Sequence, residues 1–140
     1  MILIRPAAES DVEVLYSLDL IARCEKDRRE FIRRAVVSGA CFVAVTEKEV
    51  IGYGVLNYNF YGNAHIDLLY VHSGHRRCGA GEALVRHIES LCQTPKLFTS
   101  TNLSNLPMQG LLVKLGYVVS GMIQNLDEGD PEIVYFKRIG

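Results

Sequence analysis

Leu69-Tyr70-Val71-His72-Ser73-Gly74-His75-Arg76-Arg77-Cys78-Gly79-Ala80-Gly81 is the stretch on which the reading of this chain turns. It opens as the end of an apolar strand. It closes as the start of an amphipathic helix, in which Leu84, Val85, Ile88 and Leu91 recur at helical spacing. Gly79 and Gly81 carry no side chain, so backbone N–H groups there can approach a ligand closely. The helix start adds unpaired N–H groups and the positive end of a macrodipole, and Arg76 and Arg77 add charge beside it. Together these predict an anion site suited to a pyrophosphate. The run is not a P-loop, because no Gly-Lys-Ser or Gly-Lys-Thr follows, and it is not GxGxxG. Two glycines also occur in ordinary strand–helix turns, so the rest of the chain must decide.

Working outward, residues 65–71 read as a strand and residues 81–92 as the helix after it. Upstream, residues 2–4 form a short strand. Ser10 and Glu13 have the capping-box form, and Val14, Leu15, Leu18, Ile21 and Ala22 follow at helical spacing. A polar segment, residues 24–29, interrupts before a second helical pattern through Phe31, Ile32 and Ala35, which Gly39 ends. Residues 41–45 and 50–56 are strands around a Glu47-Lys48-Glu49 turn, and Gly62-Asn63 marks the next turn. Downstream, residues 96–100 are a strand. Pro107 opens a helix that Gly116 closes, and residues 118–123 and 133–137 form a hairpin around a polar loop. The order is strand, two helices, three strands, helix, strand, helix, two strands. That is an α/β (α+β) sandwich with a mixed sheet rather than a regular βαβ repeat.

The 140 residues fit one domain spanning residues 1–140, without internal repeat or linker. A composition of 49% apolar and 22% charged residues excludes a disordered or fibrous chain. The net charge of -1 argues against nucleic-acid binding through bulk charge. The first residues are too short an apolar run for a signal peptide, and no stretch approaches a membrane span of roughly 20 apolar residues. The expectation is a soluble, cytoplasmic protein. Cys24, Cys41, Cys78 and Cys92 form no CxxC pair, so neither zinc nor another metal is expected. Scattered cysteines fit free thiols.

With these elements in place, the chain resembles the GCN5-related N-acetyltransferases. Arg76-Arg77-Cys78-Gly79-Ala80-Gly81 matches that family's R/Q-x-x-G-x-G/A motif, and Leu69-Tyr70-Val71-His72 is similar to its usual strand end. Asn105 followed by Lys114-Leu115-Gly116-Tyr117 is similar to its N…K-x-G-F/Y segment. By element order the resemblance covers the whole chain. It implies a mostly antiparallel sheet of about six to seven strands, splayed at strands 4 and 5 and flanked by about four helices. It implies acetyl-CoA as co-substrate. The strand end at Leu69, Tyr70 and Val71 would take the pantetheine arm through backbone groups of Leu69 and Val71. The turn of Arg76, Arg77, Cys78, Gly79, Ala80 and Gly81 would take the pyrophosphate, and Asn105 joins the cofactor-binding set.

Moving an acetyl group from a thioester to an amine needs a base, because an alkylammonium holds its proton to a pKa near 10. It also needs a donor for the tetrahedral oxyanion. His65, Asp67, Leu69 and Val71 share one parity on their strand, so His65 and Asp67 point the way of the residues expected to hold the thioester. The resemblance puts its general base at about these places. Either residue is a candidate: an imidazole ordinarily titrates near 6.5, whereas a carboxylate needs burial or a bridging water. The Val71 backbone N–H is the natural oxyanion donor. The general acid is missing. Many relatives carry a tyrosine two residues before the K-x-G-F/Y stretch, and here that position is Leu112. Ser104 and Tyr117 lie nearby in sequence without matching it.

For the acceptor, Glu25, Asp27 and Glu30 lie on one side, and Asp127, Glu128, Asp130 and Glu132 crowd the last loop. Tyr58, Phe60 and Tyr61 precede the fourth strand. Carboxylates with aromatic rings suit a cationic amine, although such a charge run is also what a solvated face contains. Three functions compete. One is N-acetyltransfer to a primary amine of a small molecule or peptide. Another is a non-catalytic CoA-binding or regulatory module of the same fold. The last is a protein-interaction domain with an acidic loop, which the intact glycines disfavour. No nucleic-acid or membrane partner is expected, and a homodimer is compatible with the reading.

Overall fold

The computed structural model describes residues 1–76 and 78–140. Arg77, which was assigned to the anion turn, lies outside them. Among the described residues the strands are β1 Leu3–Pro6, β2 Cys41–Thr46, β3 Glu49–Phe60, β4 Asn63–Val71, β5 Lys96–Asn102, β6 Val118–Ile123 and β7 Glu132–Arg138. The helices are α1 Val12–Leu18, α2 Leu20–Cys24, α3 Lys26–Val37, α4 Ala80–Leu91 and α5 Leu106–Lys114. The strands form one sheet in the order β1-β2-β3-β4-β5-β7-β6. The pairings β1–β2, β2–β3, β5–β7 and β6–β7 are antiparallel. β4 and β5 are parallel, with Ala64, His65 and Ile66 beside Leu97, Phe98 and Thr99. Three paired residues in a nine-residue strand are what the expected splay of strands 4 and 5 requires.

The flank of about four helices is met by five, because the first predicted helix is divided at Asp19. This residue leaves helical backbone angles and accepts from the N–H groups of Ile21 and Ala22, capping α2. The polar segment expected to break the chain is helical from Lys26 onward, and only Glu25 is extended. The predicted Ser10–Glu13 capping box is replaced by Asp11. Its carboxylate takes the Ala8 N–H at 2.7 Å and pairs with both ends of the Arg5 guanidinium. β3 outruns its predicted end by four residues and turns at Tyr61-Gly62, both at positive φ.

The chain divides into two compact units. The first comprises Met1–Leu56 and Leu68–Ile88. On one face of its strands, Cys41, Val43, Tyr53 and Val55 bury against Val12, Leu15, Leu18, Ala22, Ile32 and Val36 of α1, α2 and α3. The alternate residues face α4: Phe42 packs against His87, and Gly54 borders Ile88. The first face also holds a buried polar knot. Asp19, fully buried, accepts from the hydroxyl of Tyr53 and from Nε of Arg28 at 2.9 Å.

The second unit comprises Asn57–Asp67 and Glu89–Gly140. Leu97, Thr99, Thr101, Ile133 and Tyr135 are buried on one face of its strands, and the Tyr135 hydroxyl reaches Gln109 of α5. Leu112 and Tyr117 are buried, and Tyr117 donates its hydroxyl to Glu89, which also takes Lys137.

Candidate active site

The residues expected to carry chemistry fall into two constellations, one in each unit. In the first unit, pairing of β3 with β4 continues as far as the bond from the His72 N–H to the Ile51 carbonyl, 2.8 Å. A short turn at Ser73–His75 follows, in which His72 accepts from the Gly74 N–H at 3.2 Å. Gly79 has φ +92, a conformation that L side chains rarely adopt, and a Cβ placed there would meet open space. Its carbonyl takes the Ala83 N–H at 2.9 Å, so α4 starts here. The N–H groups of Ala80 and Gly81 therefore belong to the first helical turn, ahead of its i-to-i−4 ladder. Arg76 lies against the end of β4. Its Nε donates to the Val71 carbonyl at 3.1 Å, and its guanidinium lies over the Tyr70 ring, 5.8 Å from the centroid. Cys78 is exposed and its thiol donates to the His75 carbonyl at 2.7 Å. The Nδ1 of His75 is buried with no hydrogen-bond partner among the described residues. The backbone donors of the first turn thus fit an anionic phosphate group.

The strand end at Leu69, Tyr70 and Val71 is crowded from behind by two glycines that the sequence reading passed over. A Cβ on Gly52 would lie 2.8 Å from the Tyr70 carbonyl and 3.3 Å from the Val71 Cα. One on Gly54 would meet Ile88 and Leu69 side chains at 3.2 and 3.3 Å. Two glycines at alternate positions inside a strand were the available signal, since they mark close approach of another backbone.

In the second unit, β4 presents His65 and Asp67 together. The imidazole Nδ1 and Asp67 Oδ1 are 2.6 Å apart, and the other Asp67 oxygen accepts from the Asn57 amide at 2.8 Å. Both side chains are largely buried, 15% and 14% exposed. Burial pushes the Asp67 carboxyl up, but the hydrogen bonds from His65 and Asn57 outweigh it and hold the group below the ordinary aspartate range. The arrangement fits a carboxylate that orients an imidazole better than a carboxylate that takes protons itself. Asn57 was not singled out from the sequence, because nothing local to it marks the role.

The remaining predicted residues are placed as follows. Asn105 caps α5 by accepting from the Met108 N–H at 3.2 Å. Leu112 is fully buried. Ser104 donates to Asp130 at 2.6 Å, and burial together with Glu89 pushes the Tyr117 hydroxyl far above its ordinary pKa, so neither is a ready acid. Asp127 and Glu132 in the acidic loop accept from Asn102 and Ser100 of β5. Of the other candidate acceptor residues, Glu30 pairs loosely with Lys26 at 3.7 Å. No cluster of metal-binding side chains occurs among the described residues, and no helix among them is long and apolar enough to cross a membrane.

Comparison with known proteins identifies the fold and the family. The chain is 29% identical over 113 residues to the peptidyl-lysine N-acetyltransferase YjaB of Escherichia coli K12, covering 80% of this chain and 72% of that protein. It superimposes with a TM-score of 0.92 and 30% identity on a GNAT-family acetyltransferase from Bacillus cereus, covering 99% of this chain and 97% of that one. A Bacillus anthracis protein described as a streptothricin acetyltransferase, solved with acetyl coenzyme A, shares the fold at a TM-score of 0.66 and 20% identity, over 71% of this chain and 62% of that one. The model of the acetyltransferase (GNAT) family matches residues 10–117. With the seven-stranded mixed sheet, the glycine turn at the start of α4 and this match over most of its length, the chain belongs to the GNAT family of acetyltransferases.

Proposed function

We propose that this chain is an acetyl-CoA-dependent N-acetyltransferase acting on a primary amine of a small molecule or peptide. The observation that carries the proposal is the turn into α4, where Gly79 at φ +92 leads into a helix N-terminus whose first-turn amides and dipole favour an anion. The pyrophosphate of acetyl-CoA is the ligand class suited to that turn. The pantetheine arm is assigned to the backbone of Leu69 and Val71, and the oxyanion to the Val71 N–H. The solved complex of a fold relative with acetyl coenzyme A supports the choice of co-substrate.

In the proposed reaction the amine nitrogen forms a bond to the thioester carbonyl carbon, the carbon–sulfur bond breaks, and the amine proton passes to Nε2 of His65. The contact of Nδ1 with Asp67 supports this assignment, because it leaves Nε2 as the accepting nitrogen. The departing thiolate, whose conjugate acid has a pKa near 8.5, takes its proton from water. Leu112, buried at the position where the family resemblance leads one to expect a tyrosine in many members, is the one observation that favours a coenzyme A-binding module without turnover. Calorimetry with acetyl-CoA, followed by thiol release with a panel of primary amines, tests both. Binding with turnover supports the transferase, binding without turnover the module, and absence of binding sinks both.

A further inference from the structure

A row of aromatic rings crosses the second unit on the face opposite Leu97, Thr99 and Tyr135. His65 of β4 stacks on Phe60 of β3, with centroids 4.9 Å apart and planes at 22°. Phe60 lies 5.0 Å from Phe98 of β5, and Phe98 lies 5.7 Å from Phe136 of β7. The register explains the row: His65 is the neighbour of Phe98, and Phe98 of Phe136, so their side chains emerge on one face. The alternate residues Leu97, Thr99 and Tyr135 are 0%, 1% and 3% exposed. Phe60, Phe98 and Phe136, by contrast, are only half-buried, while His65 is largely buried. Two carboxylates border the row. Asp67 is held against His65, and Glu132, on the same face of β7 as Phe136, accepts from Ser100 at 2.8 Å.

A ring row that served only as core would be covered like the face behind it. Half-buried rings bordered by carboxylates complement a ligand that is flat and apolar at one end and cationic at the other. A polyamine would leave the rings without a partner, and an anion would meet the carboxylates. A lysine side chain of a peptide likewise brings an ammonium and an alkyl chain but no ring to stack on the phenylalanines. We infer that the Phe60–His65–Phe98–Phe136 row is the acceptor platform, and that the acceptor is a small arylalkylamine, its ring on the phenylalanines and its ammonium toward Asp67 and Glu132. This deepens the proposed function and rests on it for the chemistry, but not for the binding.

The test compares 2-phenylethylamine with n-hexylamine as acceptors, together with a lysine peptide. The ring should raise kcat/KM about three- to tenfold over the alkyl chain. Phe98→Leu and Phe136→Leu, which keep apolar volume and remove a ring, should each bring that ratio toward one. If one variant does not fold, as read by circular dichroism, the other decides. Equal kcat/KM for the two amines overturns the platform. So does a preference that survives the Leu substitution, or a peptide that is the better acceptor. Saturation-transfer NMR of 2-phenylethylamine with coenzyme A present separates the two proposals. Ring protons that receive saturation in the absence of any acetylation uphold the platform and overturn the transferase. Acetylation without ring preference does the reverse.

Discussion

The imidazole Nδ1 of His65 stands 2.6 Å from the Oδ1 of Asp67, two residues further along the same strand, while Asn57 occupies the second carboxylate oxygen. If this pair accepts the proton of the amine, the rate rises with pH until the base is fully deprotonated. His65→Ala should lower kcat by about 10²-fold, the lower end of what a positioned base contributes, and Asp67→Asn by less. Stopped-time thiol release across pH 5–10, with acetyl-CoA saturating, reads this. Wild-type pH–rate profiles in both variants would remove the pair from the mechanism.

Gly79 tests the anion turn. Alanine there must adopt φ +92, at a cost of about 1–2 kcal/mol, and aspartate adds a negative charge at the helix end. Calorimetric Kd for acetyl-CoA should rise modestly in Gly79→Ala and at least tenfold in Gly79→Asp. An unchanged Kd in Gly79→Asp would show that the phosphates lie elsewhere.

Gly52 tests the strand end. A Cβ at 2.8 Å from the Tyr70 carbonyl forces backbone to shift, and overpacking of this kind costs about 1–3 kcal/mol. Gly52→Ala should therefore lower Tm and weaken acetyl-CoA together, because the displaced residues are Tyr70 and Val71. A drop in Tm with full cofactor affinity would detach Val71 from the pantetheine arm.

Asp19 sets an acid limit on stability. Burial raises its carboxyl, but the Tyr53 hydroxyl and Arg28 together lower it below the ordinary range. A depressed carboxylate stabilises the fold above its unfolded pKa, near 3.9, and that contribution is lost as pH falls through the folded value. Asp11, lowered first by its bond to Arg5, acts in the same direction. Urea unfolding should show ΔG falling below about pH 4.5. Asp19→Ala leaves Arg28 and the Tyr53 hydroxyl without their partner, and should cost about 3 kcal/mol at pH 7 while flattening the acid slope. A variant with the wild-type slope would assign acid sensitivity to other groups.

The missing acid gives the last expectation. Leu112 is fully buried, so a tyrosine placed there must overpack the core rather than reach a thiolate. If water protonates the thiolate, no single Tyr→Phe change abolishes turnover. Tyr117→Phe should lower Tm through loss of its bond to Glu89, with kcat retained within a few-fold. One tyrosine whose loss removes activity at full acetyl-CoA affinity would identify the acid and end this account.

Much of the fold was legible because its signals are local. The strand end, the glycines at 79 and 81 and the periodic Leu84, Val85 and Ile88 lie within one short stretch, and helix dipole and turn geometry act over that same range. The β6–β7 hairpin and the helix between Pro107 and Gly116 were readable for the same reason. Asp19 defeated the pattern, since an aspartate inside a helical period becomes a cap only when Tyr53 and Arg28 arrive to bind it. Strand parity placed His65 and Asp67 together, but Asn57 joins them only across the hairpin. The row of Phe60, Phe98 and Phe136 is set by strand register, which a one-residue slip would turn to the other face. Short-range backbone preferences are written residue by residue. Register and buried polar partners emerge only from the cooperative closing of segments distant in sequence, and at those places the tertiary structure alone decided.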